Sequence, residues 1–135
     1  MSAIRPLSLS ERRQVSQEQI WRYAEVSGAN DPIHVDPDSA KNSRFGSTVA
    51  QGLLVFAWLS ELMMRIDAES WSGGGQLEVS FRAPVRPGDT LDLHCSLQGV
   101  VEREGGSYGE YELRCDNQAG TRVIGGRAWI PTATG

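Results

Sequence analysis

A chain of 135 residues has room for one domain, and at that size about two thirds of the unfolded surface can be buried in a core. The net charge of −4 and the pI near 5.1, with no basic stripe, argue against nucleic acid and anionic membrane surfaces as partners. Residues 1–10 carry one Arg with no apolar run behind it, so no signal peptide is read and a cytoplasmic setting is expected.

Residues 1–6 read as a loose end and residues 7–15 as a short edge strand. Ser16 then has the character of a helix N-cap, with Gln19 three residues later as its capping-box partner. That helix runs to about Ser27, with Ile20, Tyr23 and Ala24 on its apolar face, and Gly28 stands where a left-handed C-terminal residue belongs. Residues 29–35 read as irregular, because the residue before a proline is pushed to extended geometry. Asp36 followed by Pro37 marks the start of a short helix that ends near Asn42.

Residues 48–66, TVAQGLLVFAWLSELMMRI, read as one long helix that is apolar nearly all round. A helix of that kind must be enclosed by other elements. Its length of about 19 residues is nominally enough to span a bilayer. Gln51, Ser60, Glu61, Arg65 and Asp67 interrupt it, and the strand-like sequence that follows favours a helix wrapped by a sheet.

Residues 72–75, Ser-Gly-Gly-Gly, read as a flexible break. From Leu77 the periodicity becomes two: Leu77, Val79 and Phe81 alternate with Glu78, Ser80 and Arg82. Leu91, Leu93, Cys95 and Leu97 alternate again, as do Tyr111, Leu113 and Cys115. Gly105-Gly106 and residues 116–120 read as turns, and Gly125-Gly126 in the last strand suggests a bulge or a close backbone approach. His94 has the parity opposite to Leu93 and Cys95 and is read as exposed. Cys95 and Cys115 fit no metal spacing and read as buried thiols on neighbouring strands rather than a disulfide. The sequence asks for neither a metal nor a cofactor. The whole chain, 1–135, is therefore expected to be one α+β domain, a curved antiparallel sheet around one buried helix.

Two stretches are not explained by folding alone. One is residues 27–37, SGANDPIHVDP, and the other is residues 45–54, FGSTVAQGLL. A loop crowded with Asn, Asp and His is costly to bury unless its groups are paired. A helix start near Gln51-Gly52 offers unpaired N–H groups and a positive dipole end, and glycine lets a ligand approach the backbone. A carbonyl oxygen gaining negative charge can be held at such a point, and His34 is the natural acid or base beside it.

These stretches resemble a known family, the MaoC-like, (R)-specific enoyl-CoA hydratases of the hotdog fold. Their loop usually reads S/T-G-D-x-N-P-I/L-H-x-D-P and their helix start F-G-x-x-I-A-H-G-M/L-L. LEVSFRAPVRPGDTL, residues 77–91, is similar to their strand and turn, and the resemblance covers residues 16–130. It implies a hotdog fold, a homodimer or dimer of dimers, and an acyl thioester of coenzyme A or acyl carrier protein as ligand. It further implies reversible syn addition of water across a trans-2-enoyl thioester. An Asp–His dyad handles water and proton, and the helix-start glycine amide polarises the carbonyl. By position His34 is the histidine and Gly52 the oxyanion glycine, while Asn30, Gln51 and Ser60 fall among the polar positions around the substrate. Arg44, Arg82 and Arg86 are candidates for the phosphates of coenzyme A, or solvated surface charges.

The chain departs from this pattern in three places. The dyad aspartate position holds Ala29, the asparagine position Asp31, and the helix-start histidine position Gln51. Either Asp31 takes over as the carboxylate partner of His34, or the domain binds a thioester without hydrating it. The bland readings are Asp31 as a turn opener, His34 as a satisfied loop histidine and Ser60 as a small packing residue. A hotdog thioesterase, and a binding subunit paired with an active hydratase chain, are the alternatives to a hydratase. If the family geometry holds, Ala29→Asp raises hydratase activity or creates it, measured as loss of the conjugated enoyl-thioester absorbance. A folded variant with unchanged or lower activity points instead to Asp31 as an adapted partner.

Overall fold

The computed structural model describes residues 7–132, so the reading of residues 1–6 lies outside it. β1 (Ser8–Gln14) is followed by α1 (Gln17–Ser27) and the single turns α2 (Pro32–Val35) and α3 (Pro37–Ala40). Next come α4 (Gly52–Ile66) and α5 (Ala68–Gly74), then β2 (Gln76–Phe81), β3 (Thr90–Arg103), β4 (Gly106–Asp116) and β5 (Arg122–Pro131). The strands form one antiparallel sheet in the order β1-β3-β4-β5-β2, so β1 and β2 are its edges.

Local signals set the first helices. The Ser16 and Gln19 side chains make the reciprocal capping box, and Gly28 closes α1 at φ 80°, where a side chain would be strained. Asp36 Oδ1 accepts the N–H groups of Asp38 and Ser39 at the head of α3. Residues 29–35 are more regular than expected. Pro32 sits at the first position of α2, where its missing N–H costs nothing, and the turn closes from Asp36 N–H to the Pro32 carbonyl.

The long helix begins at Gly52 rather than at Thr48. The Val49 N–H is bonded to the Ile33 carbonyl and the Ala50 N–H to the Val85 carbonyl, and Gln51 is extended at φ −62°, ψ 133°. Those bonds hold residues 48–50 as a strap and stop the helix from starting earlier. One face of α4, with Val55, Leu59, Leu62 and Met63, packs on inward side chains of β3, β4 and β5 such as Leu93, Tyr111, Leu113 and Ile130. Each such buried side chain contributes about 1.5–3 kcal/mol. The helix is not enclosed on every side in this chain: Leu53 is 60% exposed and Met64 41%, and Ala57 lies on the same open stripe. Among the described residues no helix is long and apolar enough to cross a membrane.

The expected break at residues 72–75 is largely helical. Asp67 caps α5 by accepting the Ser70 N–H, and buried Trp71 donates its Nε1–H to Ser60 Oγ at 2.9 Å. Cys95 and Cys115 are free and buried. Burial raises both thiol pKa values, Cys115 to about 12 with the help of Asp116 and Asp92. His94 is partly exposed and shares a 2.7 Å hydrogen bond with Ser10 Oγ across β1 and β3.

Gly126 marks a close backbone approach. It pairs with Val79 of β2, and a Cβ there would lie 2.1 Å from the Glu78 carbonyl oxygen. At Gly125 a Cβ would meet only the guanidinium of Arg82, at 3.0 Å, which can move. Gly126→Ala is expected to cost about 3 kcal/mol in urea denaturation, while Gly125→Ala costs less than about 1 kcal/mol. Equal losses would show that β2 yields to the added methyl as readily as an arginine side chain does.

Candidate functional site

The strap at residues 48–51 brings the two motif stretches together. His34 lies in α2, half-buried, and is held at three points. Its N–H donates to the Asp31 carbonyl, its carbonyl accepts from Gln17 Nε2, and Nδ1 lies 2.8 Å from the Val49 carbonyl oxygen. A carbonyl oxygen has only lone pairs, so Nδ1 carries the hydrogen and donates it. The neutral ring then has its free lone pair on Nε2, where it can take a proton. Gln17 also accepts from the Thr48 hydroxyl, so one amide ties His34 to the strap. Sequence reasoning did not single out Gln17, Thr48 or Val49, because their work is done through one amide, one hydroxyl and a backbone carbonyl.

Gly52 opens α4 with its N–H unpaired, as the first turn of a helix requires. Beside it is a cavity of about 630 Å³, lined by Gly52, Leu53, Phe45 and Phe81, with Arg44 and Arg82 among its other residues. Val49 lines the cavity; His34 is not among its lining residues and is joined to Val49 by the Nδ1 hydrogen bond. The Arg44 guanidinium sits over the Phe45 ring at 4.7 Å. Arg86 does not line the cavity but donates to the Phe45 carbonyl from Nε and Nη2.

The other expected site residues are placed as follows. Asp31 stands at the N-cap of α2, exposed, and among the described residues its carboxylate makes no hydrogen bond or ion pair. In this chain the partner that orients the His34 ring is therefore the Val49 carbonyl and not Asp31. Asn30 is exposed, its backbone N–H turned onto the Gly28 carbonyl. Gln51 is only 3% exposed, and its Nε2 donates to the carbonyls of Ile20 and Ala29, each at 3.1 Å. Its amide thus anchors the 28–31 loop from within and does not face the cavity. Its Oε1 has no partner. Ser60 holds Trp71, and its place eight residues along the helix puts it about 12 Å from Gly52.

A five-stranded antiparallel sheet folded on one long helix, with a cavity at the helix head, defines a hotdog domain. Residues 3–118 match the MaoC like domain family, and the chain belongs to it. It is 28% identical over 127 residues to an (R)-specific enoyl-CoA hydratase of Rhodospirillum rubrum, covering 91% of this chain and 83% of that protein. It is 38% identical over 98 residues to a mitochondrial 3-hydroxyacyl-[acyl-carrier-protein] dehydratase of Arabidopsis thaliana, covering 71% of this chain and 55% of that protein. Among solved structures, the (R)-hydratase from A. caviae involved in PHA biosynthesis has the same fold. Its TM-score is 0.80 at 20% identity, with 98% of each chain covered. The ChsH1-ChsH2 complex from Mycobacterium tuberculosis has it too, with a TM-score of 0.74 at 12% identity over 98% of this chain and 100% of that one.

Gln51→Ala removes both N–H donors from under the loop. It is expected to cost about 2–4 kcal/mol in urea denaturation, from the vacated volume and the unpaired carbonyls together. It should also speed hydrogen exchange at the amides of Asn30 and Asp31. A loss below about 0.5 kcal/mol with unchanged exchange would show that the loop holds its shape without this amide.

Proposed function

We propose that this domain catalyses the reversible hydration of a trans-2-enoyl thioester, carried by coenzyme A or an acyl carrier protein, to the 3-hydroxyacyl thioester. Membership of the family and the activities named for the relatives support the reaction class. The observation that carries the residue assignment is the Nδ1–H of His34 bonded to the carbonyl of Val49, three residues before Gly52, which leaves the Nε2 lone pair free. The thioester carbonyl accepts the Gly52 N–H, and the positive end of the helix steadies negative charge on its oxygen. Water loses a proton to His34 Nε2 as its oxygen bonds to C3. The electron pair of the double bond moves to C2 and the carbonyl oxygen, and C2 then takes up the proton held on His34 Nε2, which returns the ring to its neutral form. Asp31 shares the proton handling and Asn30 positions the water or the substrate. Gln51 acts indirectly, by holding the loop. Arg44 and Arg82, at the cavity, are the candidates for carrier phosphates.

The open stripe of α4 and the unpaired edge of β2 suit a second chain, in a homodimer or a dimer of dimers. A heteromeric partner suits them equally, as in the ChsH1-ChsH2 complex. Two free buried thiols fit a reducing, cytoplasmic setting. A second reading, a thioester-binding subunit of a hydratase complex, draws support from the Asp31 carboxylate, which makes no bond to His34.

The test follows conjugated absorbance and thiol release together, on a short and a long enoyl-CoA. Wild type is expected to lose conjugation without releasing thiol, and His34→Ala and Asp31→Asn to fall about 10²–10⁴-fold. Thiol release would move the protein to the thioesterases. No turnover alone, with activity regained on adding a partner chain, would make it the binding subunit.

A further inference from the structure

Phe81 is placed oddly for a core residue. It is the last residue of β2, an edge strand, and it is 54% exposed. Its tight contact is with Gly52. A Cβ built on Gly52 would lie 2.8, 3.1 and 3.2 Å from three atoms of the Phe81 ring, which are its nearest neighbours. The ring therefore lies against the α-carbon of the residue whose N–H is unpaired, and it lines the cavity beside that N–H. The strand end is fixed by the Arg82 N–H bonded to the Val123 carbonyl at 2.8 Å, so the ring is carried on an anchored backbone.

We propose that Phe81 is the selectivity residue of this site, favouring straight acyl groups over those branched at C2. This rests on the reading that a thioester carbonyl is held by the Gly52 N–H. A hydrogen bond of about 3 Å to that N–H brings the carbonyl carbon and its two substituents, sulfur and C2, nearest to the ring. Atoms further along the acyl chain run on into the cavity and away from Gly52. A methyl group on C2 meets the phenyl ring, whereas C2 with hydrogens only passes beside it.

Two measurements test this on wild type, Phe81→Ala and the more conservative Phe81→Leu. The first is the ratio of kcat/KM for hydration of 2-methylcrotonyl-CoA to that for crotonyl-CoA. Phe81→Ala is expected to raise this ratio about tenfold or more, with Phe81→Leu in between, since one methyl group in an apolar pocket is worth about 10–200-fold. The second is calorimetric binding of isobutyryl-CoA and butyryl-CoA, saturated isomers that cannot be hydrated. Wild type should prefer butyryl-CoA, and Phe81→Ala should remove most of that preference. A merely structural role would lower both members of each pair together. Unchanged ratios in both measurements on folded variants would overturn the proposal, as would wild-type binding that does not discriminate the isomers. If wild type hydrates neither enoyl substrate but sorts the saturated isomers through Phe81, the reaction assignment fails and the selectivity role stands.

Discussion

Two backbone hydrogen bonds, from Val49 to Ile33 and from Ala50 to Val85, hold the strap on which the site depends. They keep residues 48–50 out of the helix, so that α4 begins at Gly52, whose N–H has no partner among the described residues. They turn the Val49 carbonyl toward His34, where it accepts the Nδ1–H. They also set the root of Gln51, whose amide reaches back under the loop to the carbonyls of Ile20 and Ala29. His34, the helix head and the loop are thus placed by one short segment rather than by three separate elements.

The site is unusual in what orients its histidine. The family pattern puts a carboxylate five residues before it, and this chain has Ala29 there. A backbone carbonyl does the same geometric work of fixing the ring and its tautomer, but it brings no negative charge to stabilise an imidazolium. The free carboxylate of Asp31 is the nearest replacement in sequence, one turn of α2 away from His34.

Much of the fold was legible because its signals are local. Ser16 with Gln19, Gly28, and Asp36 with Pro37 each act within a few residues, and each does in the structure what its chemistry suggests. Period-two alternation pointed to three or four later strands, of which there are four, and of the paired glycines 125 and 126 it is Gly126 that meets β2 closely. The start of α4 was not legible. Val49 and Ala50 suit a helix as well as a strap, and their deciding partners are carbonyls at residues 33 and 85. The glycines before β2 read as a break because the force that keeps α5 helical comes from Trp71, buried and bonded to Ser60. His34 and Gly52 stood out as chemical groups. Val49 did not, since a main-chain carbonyl leaves no mark in the sequence. Gln51 stood out for its type, but its burial and its two carbonyl partners turn it from a substrate contact into an anchor.

β2 serves as both an outer edge of the sheet and, through Phe81, a wall of the cavity. A chain that pairs along this edge bonds to the strand whose last side chain rests on Gly52. Association and ligand binding then act on one strand, and free energy passed between them is the same in both directions. A ligand that shifts β2 toward its paired form tightens the assembly by the factor by which assembly tightens the ligand. Were a second chain to pair along this edge, apparent affinity for the ligand would become a function of protein concentration.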